Sequence, residues 1–298
     1  MHVKFEPRTC PICGQSNAVL VYDQKLDPAQ LDEFAFASRK YPEYMHLRLV
    51  KCNTCALLYA DPAPDTASLH HEYEKAAFDS SAEARCAAKT YLHYLPAAIK
   101  PGSALDIGCG GGEFLEMLLT RGVEKIQGVE PSSEAAKTAC DKVRDHIRVS
   151  MFNADDFAPE SFDLVSSFQT LEHVSDPLKL VQGAHTLLKK GGAFYSVSHN
   201  CEGALNKALG TKSPIYDIEH LQLFSPGSLK KLLEAAGFSH VRIFPIWNSY
   251  PLVYWIRLAP LPLGLKKRLI QGLHYARLES LSFAAPVGNM GVLGIKAP

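Results

Sequence analysis

Three groups of residues in this chain have the types and spacing to do chemistry. The first is the run Ala104-Leu105-Asp106-Ile107-Gly108-Cys109-Gly110-Gly111-Gly112. A short apolar stretch ends in an acidic residue, then turns through glycines into the apolar helical pattern of residues 113–119. A buried strand, a tight loop and a helix start in this order present main-chain amides to a ligand. A dinucleotide loop needs a third glycine three residues after the second, and Glu113 stands there instead. The second group is the cysteine pairs Cys10-x-x-Cys13 and Cys52-x-x-Cys55, whose four thiolates suit a tetrahedral Zn²⁺. Pro11 and Gly14 favour the tight turn of the first pair, and a redox dithiol is the other reading of the motif. The stretch between the pairs has 38 residues (14–51), where compact ribbons have about 15–20, so an inserted helix is expected over Asp27–Lys40. The third group is His173, His199 and His220, each a candidate general base because an imidazole titrates near neutral pH.

These groups need elements to hold them. Strand patterns fall at 103–108, 125–130, 147–151, 162–168, 192–199, 240–247 and 291–297, with helical patterns alternating between most of them. That alternation predicts an α/β fold, doubly wound around a mostly parallel seven-stranded sheet. His173 just after the fourth strand and His199 at the end of the fifth then lie at the carboxyl edge, where open sheets bind ligands. A helix is expected over 177–190, ended by Gly191-Gly192, and another from Ser225-Pro226 to Gly237. Asp65 is a plausible cap for a helix after the Pro-rich linker Asp61-Pro62-Ala63-Pro64. Residues 1–62 read as a small zinc-ribbon-like module and 63–298 as the larger domain, with 249–288 an insertion that caps the substrate. Trp247, Asn248, Tyr250, Tyr254 and Trp255 either line a pocket or form a core under that insertion. Lys266, Lys267 and Arg268 mark a basic helix over 264–280, either a solvated face or a holder of an anionic group.

Composition narrows the partners. Lys and Arg together number 31 and so do Asp and Glu, so no global field favours nucleic acid or anionic lipid. Hydrophobic residues make up 47 % of the 298, enough for a sizeable core. Lys4, Glu6 and Arg8 break the first apolar residues, and Arg257 and several prolines interrupt the greasiest stretch, 243–265. Neither a secretory signal nor a membrane span is expected. Eight cysteines, four of them outside the two pairs, suit a reducing cytoplasm with one metal site better than a disulfide framework.

Taken in order, Leu105–Gly112, Gly128-Val129-Glu130-Pro131-Ser132, Asp155-Asp156-Phe157, Phe162–Val174 and Leu187–Gly192 resemble the class I, Rossmann-like S-adenosylmethionine (SAM) methyltransferases, over roughly 80–298. The resemblance implies that SAM binds against Asp106, through its ammonium group, and along Gly108, Gly110 and Gly112. It implies that Glu130 accepts hydrogen bonds from the ribose hydroxyls, that Asp155 or Asp156 meets the adenine amino group with Phe157 against the ring, and that Gln169 is a cofactor neighbour. A subgroup that methylates ubiquinone precursors has a Glu-x-x-Glu-His metal site at this turn. Gln169 replaces its first acid, which speaks against a Mg²⁺-dependent phenol transferase. The cysteine module resembles zinc-binding regions on some methyltransferases of secondary pathways. A small-molecule or carrier-bound metabolite is the expected acceptor. An RNA base methyltransferase and a non-catalytic SAM-binding protein are the alternatives, and the absence of a basic tract in 1–62 opposes the first.

Overall fold

The seven strand patterns need partners on both faces, and a computed structural model of the protein shows how they are met. It describes residues 4–27, 44–75, 81–259, 261–278 and 281–298; the helix expected over Asp27–Lys40 lies outside these apart from its first residue. The N-terminal segment holds β1 (Phe5–Glu6), β2 (Ala18–Tyr22), β3 (Leu49–Cys52), β4 (Leu58–Ala60) and β5 (Ala63–Pro64). Helices α1 (Thr66–Lys75) and α2 (Ser81–Tyr94) follow, the first capped by Asp65, which accepts from Ser68 N at 2.7 Å. Then come β6 (Ser103–Ile107), α3 (Glu113–Thr120), β7 (Lys125–Glu130), α4 (Ser133–Lys137), α5 (Asp141–Arg144) and β8 (Ile147–Val149). The chain continues through β9 (Phe162–Phe168), α6 (Pro177–Leu187), β10 (Leu188–His199), α7 (Ala204–Leu209), β11 (Gln222–Leu223) and α8 (Pro226–Ala235). It ends in β12 (His240–Pro251), α9 (Leu252–Leu258), α10 (Leu263–Tyr275) and β13 (Ser282–Ile295).

The main sheet has the order β12-β13-β10-β9-β6-β7-β8. Strands β8, β7, β6, β9 and β10 are parallel, and β13 is antiparallel to both of its neighbours. The chain winds outward from β6 to β8, then returns to place β9 on the other side of β6. This reversal opens a crevice at the carboxyl ends of β6 and β9. Every residue of β6 is buried, as a parallel strand covered on both faces requires. Leu105 and Ile107 pack with Val181, Leu229 and Leu232 of α6 and α8, while Ala104 packs with Tyr91, Leu115 and Leu118 of α2 and α3.

Two elements differ from the sequence expectation. Helix α6 ends at Leu187, because Leu187 and Leu188 both enter one core and the chain turns extended to let Leu188 pair with Phe162. Gly191 (φ +74°) and Gly192 therefore sit in a register shift within β10 and do not end a helix. Strands β12 and β13 also run on as a hairpin to the pair Pro251↔Ser282, with α9 and α10 at its end. Ile246, Asn248 and Tyr250 are buried while Trp247 and Ser249 are exposed, the alternation of a half-buried ribbon. The expected insertion is thus the outer half of a sheet hairpin. Helix α8 starts at Ser225-Pro226 with a capping box, and Gly237 follows its end at φ +102°, as its sequence signals require.

The cysteine-bearing segment shares its core and a sheet with the rest. A four-stranded sheet runs β11-β4-β3-β2, so the larger domain donates its edge strand two residues after His220. Cys10, Val50, Leu57 and Tyr59 lie in the same core as Leu105 and Val165. The Arg8 guanidinium donates to Leu221 O at 3.3 Å, to Gln222 Oε1 at 2.8 Å and to Ser175 O. Gln222 Nε2 in turn donates to Leu171 O and, at 2.9 Å, to Val174 O, on either side of His173. Burial lowers the Arg8 pKa to about 10, against the pull of Asp176.

Candidate active site

A cavity of about 730 Å³ opens at the carboxyl ends of β6, β7, β9 and β10. Its wall contains Asp106, Gly108, Gly110 and Glu130 together with His173, His199 and His220, and Gln169, which lies between the two groups in sequence. The sequence spread these residues over more than a hundred positions, and the switch of winding at β6 and β9 gathers them.

On the glycine side, the Gly108 amide donates to Val129 O at 2.8 Å while the residue sits at φ +74°. A Cβ there would stand 2.4 Å from Thr170 Oγ1. Gly110, at φ +55°, has nothing within 4 Å of its Cβ position, so this glycine leaves the passage beside the loop clear. Gly112 caps α3, packs toward Val143 and lies outside the wall, so its role is in shaping the turn. Glu130 accepts from Gly110 N at 2.9 Å and from Ser132 N at 2.8 Å, which ties the loop to the end of β7. Asp106 accepts from Ser166 Oγ at 2.7 Å. Burial pushes its carboxyl up to about 7, with Glu113 and Glu130 acting the same way and Ser166 opposing them. Burial likewise raises Glu113 and Glu130. Three desolvated carboxylates around one loop make a site for a cation. Gln169 stands at φ +52°, a backbone state that costs a non-glycine residue about 1–2 kcal/mol. Its Oε1 is buried with no hydrogen-bond partner among the described residues, an acceptor suited to an N–H from a bound group.

Asp155, Asp156 and Phe157 do not join the wall, contrary to the expectation from the resemblance. They belong to a one-turn 3₁₀ helix and the residue that ends it. Asp156 pairs with Arg148 at 2.8 Å, and the Arg148 guanidinium lies 5.4 Å from the centre of the Phe157 ring. Phe157 packs against Phe152 and Phe162. Met151 and Phe152 take the wall positions instead. The available signal was their place directly after β8, at the ligand-binding edge of the sheet.

On the histidine side, each ring is held by its Nδ1. His220 Nδ1 meets Ile215 O at 2.8 Å, His199 Nδ1 meets Asn289 Oδ1 at 2.8 Å, and His173 Nδ1 meets Glu219 O at 3.2 Å. All three partners are acceptors, so Nδ1 carries the proton and Nε2 is the basic atom in each ring. The His220 ring centre lies 4.8 Å from that of His173 and 5.1 Å from that of His199. Burial lowers His173 and His199 to about 4 and His220 well below its usual value, so all three are neutral at pH 7. The Glu219 carboxylate stands 3.9 Å from His220 Nε2 and 3.8 Å from His173 Nδ1. Glu219 and Asn289 had not been singled out from the sequence. Glu219 was legible as the neighbour of His220, whereas Asn289 required the register His199↔Asn289 between β10 and β13. Glu172 is fully buried outside the wall, accepts from His199 N at 2.6 Å, and is raised by burial to about 7. With Glu172 turned inward and Gln169 neutral, this turn does not offer the acidic pair of a Glu-x-x-Glu-His metal site. Tyr250, Tyr254 and Trp255 line the cavity, while Trp247 is half exposed outside it and Asn248 is buried behind Asn289, accepting from its Nδ2 at 2.9 Å.

In the N-terminal segment the four expected cysteines converge. Cys10 Sγ and Cys55 Sγ are 3.2 Å apart, Cys13 Sγ and Cys52 Sγ are 3.5 Å apart, and all four lie within 4.8 Å of one another. Zinc–sulfur bonds of about 2.3 Å give a tetrahedron with edges of about 3.8 Å, so the sulfurs fit such an ion closely.

A doubly wound sheet with its last strand reversed, a glycine loop after β6 and an acid closing β7 define a Rossmann-like transferase site. A family model described as a methyltransferase domain matches residues 78–243, and the chain belongs to that family. It is a SAM-dependent methyltransferase. A ubiquinone biosynthesis O-methyltransferase of Aeromonas salmonicida is 28 % identical over 166 residues, 50 % of this chain and 69 % of that protein. The protein of the same name from Paraburkholderia phymatum is 32 % identical over 146 residues, 45 % of this chain and 62 % of its own length. Among solved structures, a SAM-dependent methyltransferase from Archaeoglobus fulgidus superposes with a TM-score of 0.50 at 20 % identity, covering 78 % of this chain and all of that one.

Proposed function

We propose that this enzyme transfers the methyl group of SAM to a hydroxyl oxygen of a small-molecule or carrier-bound acceptor, with His220 as general base. The observation that carries the proposal is the cluster of three neutral histidines, each with Nε2 basic, in the wall of the same cavity as the glycine loop. The two relatives' names, as O-methyltransferases, support the same chemistry. SAM supplies a methyl group on a sulfonium that leaves as a neutral thioether. Asp106 and Gln169 hold the donor's ammonium end, the loop at Gly108 and Gly110 leaves it room, and Glu130 meets the ribose. The aromatic wall of Tyr250, Tyr254 and Trp255 aligns the acceptor, and alignment at near-contact distance supplies much of the rate. His220 Nε2 takes the hydroxyl proton, and the Glu219 carboxylate stabilises the resulting imidazolium. His173 and His199 keep the pocket uncharged around it. The four cysteines hold a structural Zn²⁺, and all eight cysteines are free, which supports a cytoplasmic location. Among the described residues no helix is long and apolar enough to cross a membrane.

The reaction is tested by incubating the purified enzyme with methyl-labelled SAM and a panel of phenols, catechols, aliphatic alcohols, amines and hydroxyacyl carriers. Label is expected in an ether; label confined to amines or carbon would overturn the oxygen assignment. Two further outcomes follow from the donor side. Glu130→Ala is expected to weaken SAM binding by roughly 10²-fold in calorimetry, because a charged acceptor shared by ribose and loop is lost. An unchanged dissociation constant contradicts its role. Asp106 must ionise to meet an ammonium, and its carboxyl sits at about 7. Donor affinity is therefore highest above pH 7 and falls about tenfold per pH unit below it, where the proton holds the carboxylate. Asp106→Asn should bind more weakly at pH 8 and lose that slope; a slope that persists in the variant assigns the titration to another group.

A further inference from the structure

We propose that the end of the β12–β13 hairpin, formed by α9 and α10, docks the enzyme on an anionic lipid bilayer. The chain as a whole is neutral, yet residues 252–281 contain Arg257, Lys266, Lys267, Arg268 and Arg277 against a single acid, Glu279; of these cations Arg257 pairs with Glu83 of α2 at 3.6 Å. Helix α10 has 13 residues and buries only Lys266, whose ammonium donates to Arg257 O at 2.6 Å. A helix this short is marginal in water unless an apolar face is covered. That face is only partly covered here. Leu265 and Leu269, four residues apart on one side of α10, are 44 % and 41 % exposed. Leu261 and Leu263 before them, and Leu278 and Leu281 after them, are exposed as well. Tyr275, 94 % exposed, closes the helix.

The exposed apolar residues come from the helix and from the segments at both of its ends, and Lys267 and Arg268 are exposed on the same helix. Leucines with flanking cations, a terminal aromatic and no acid within α10 itself make the surface of an interfacial helix, which inserts its apolar side among acyl chains and sets its cations at anionic headgroups. Nucleic acid would satisfy the cations and leave the leucines in water, and an acidic protein would need a groove shaped to receive the tip. Helix α9 of the same end walls the cavity with Tyr254, Trp255 and Leu258, so docking sets the acceptor half of the pocket beside the lipid. The docking rests on this surface alone and does not depend on the choice of acceptor atom.

The test is sedimentation of the full-length enzyme with vesicles of phosphatidylcholine alone and of phosphatidylcholine with phosphatidylglycerol. Binding to the anionic vesicles is expected to be at least tenfold stronger than to the neutral ones and to weaken with salt. Leu265→Glu/Leu269→Glu and, separately, Lys267→Glu/Arg268→Glu should each lower binding by roughly tenfold or more, at about 1 kcal/mol per cation near the surface. Both variants should keep wild-type SAM affinity and melting temperature, which shows that the fold is intact. No binding to anionic vesicles, or equal binding by the leucine variant, overturns the proposal. So does a tip that retains an acidic protein or a polynucleotide while ignoring lipid.

Discussion

His220→Ala is expected to lower kcat by roughly 10²–10⁴-fold, the range over which a positioned base contributes to proton transfer. Affinity for SAM should stay near wild type, because the hydrogen bond and ring contacts of His220 are to Ile215, His173 and His199 and not to Asp106, Gly110 or Glu130. The size of the effect follows from the geometry. Ile215 O fixes the tautomer, Glu219 lies 3.9 Å from the basic nitrogen, and a neighbouring histidine ring stands on either side. Glu219→Gln, which removes the charge and keeps the shape, should lower kcat less and move the acid limb of the pH profile to lower pH. The sign follows because a carboxylate raises the pKa of a nearby imidazole, so its removal lets the base stay neutral further into acid. Steady-state and single-turnover rates with an accepted substrate decide the matter. If His199→Ala alone abolishes transfer while His220→Ala leaves it within a fewfold, the proton goes to His199.

Cys52→Ser is expected to release the metal and to unfold the front segment. Structural zinc contributes roughly 10–16 kcal/mol to small domains, as large as the whole stability of many folds. The loss should reach the active site as well. With Cys52 at the end of β3, disorder there frees β4 and with it β11, two residues from His220. Arg8, two residues before Cys10, would lose its hold on Ser175, Leu221 and Gln222. Metal analysis should fall from one zinc per chain to well below one, the melting temperature should drop, and kcat should fall with it. A variant with full zinc content would falsify the four-thiolate site, and full activity in a zinc-free variant would sever the link to the histidines.

Much of this was legible in the residues themselves. The glycine loop, the acid at 130 and the apolar runs specify a parallel sheet through local rules, and each of the seven strands overlaps its expected span, although β10, β12 and β13 begin or end well outside theirs. Caps at Asp65 and Ser225 were equally plain. The sequence was less clear where two local signals competed. Gly191-Gly192 is as good a helix end as a bulge, and only the burial of Leu188 beside Phe162 decides between them. The acidic pair at 155–156 looks like a ligand contact, but one turn of 3₁₀ helix aims it at Arg148 and leaves Met151 and Phe152 at the crevice. The three histidines could be named but not brought together, since their meeting depends on a long loop and on sheet register. The same holds for Asn289, which is invisible as a partner of His199 until β13 is aligned against β10.

The borrowed strand β11 bears on where this protein can be cut. The family match begins at residue 78, which invites a shortened version without the cysteines. Such a version would strip the partner from Gln222–Leu223 and leave a raw edge two residues from His220. The front segment is therefore no interchangeable cassette. A lineage that gave up its thiolates would first have to rebuild the brace they anchor, and a chimera that joins this transferase to a foreign leader would inherit a pocket with one wall unsupported.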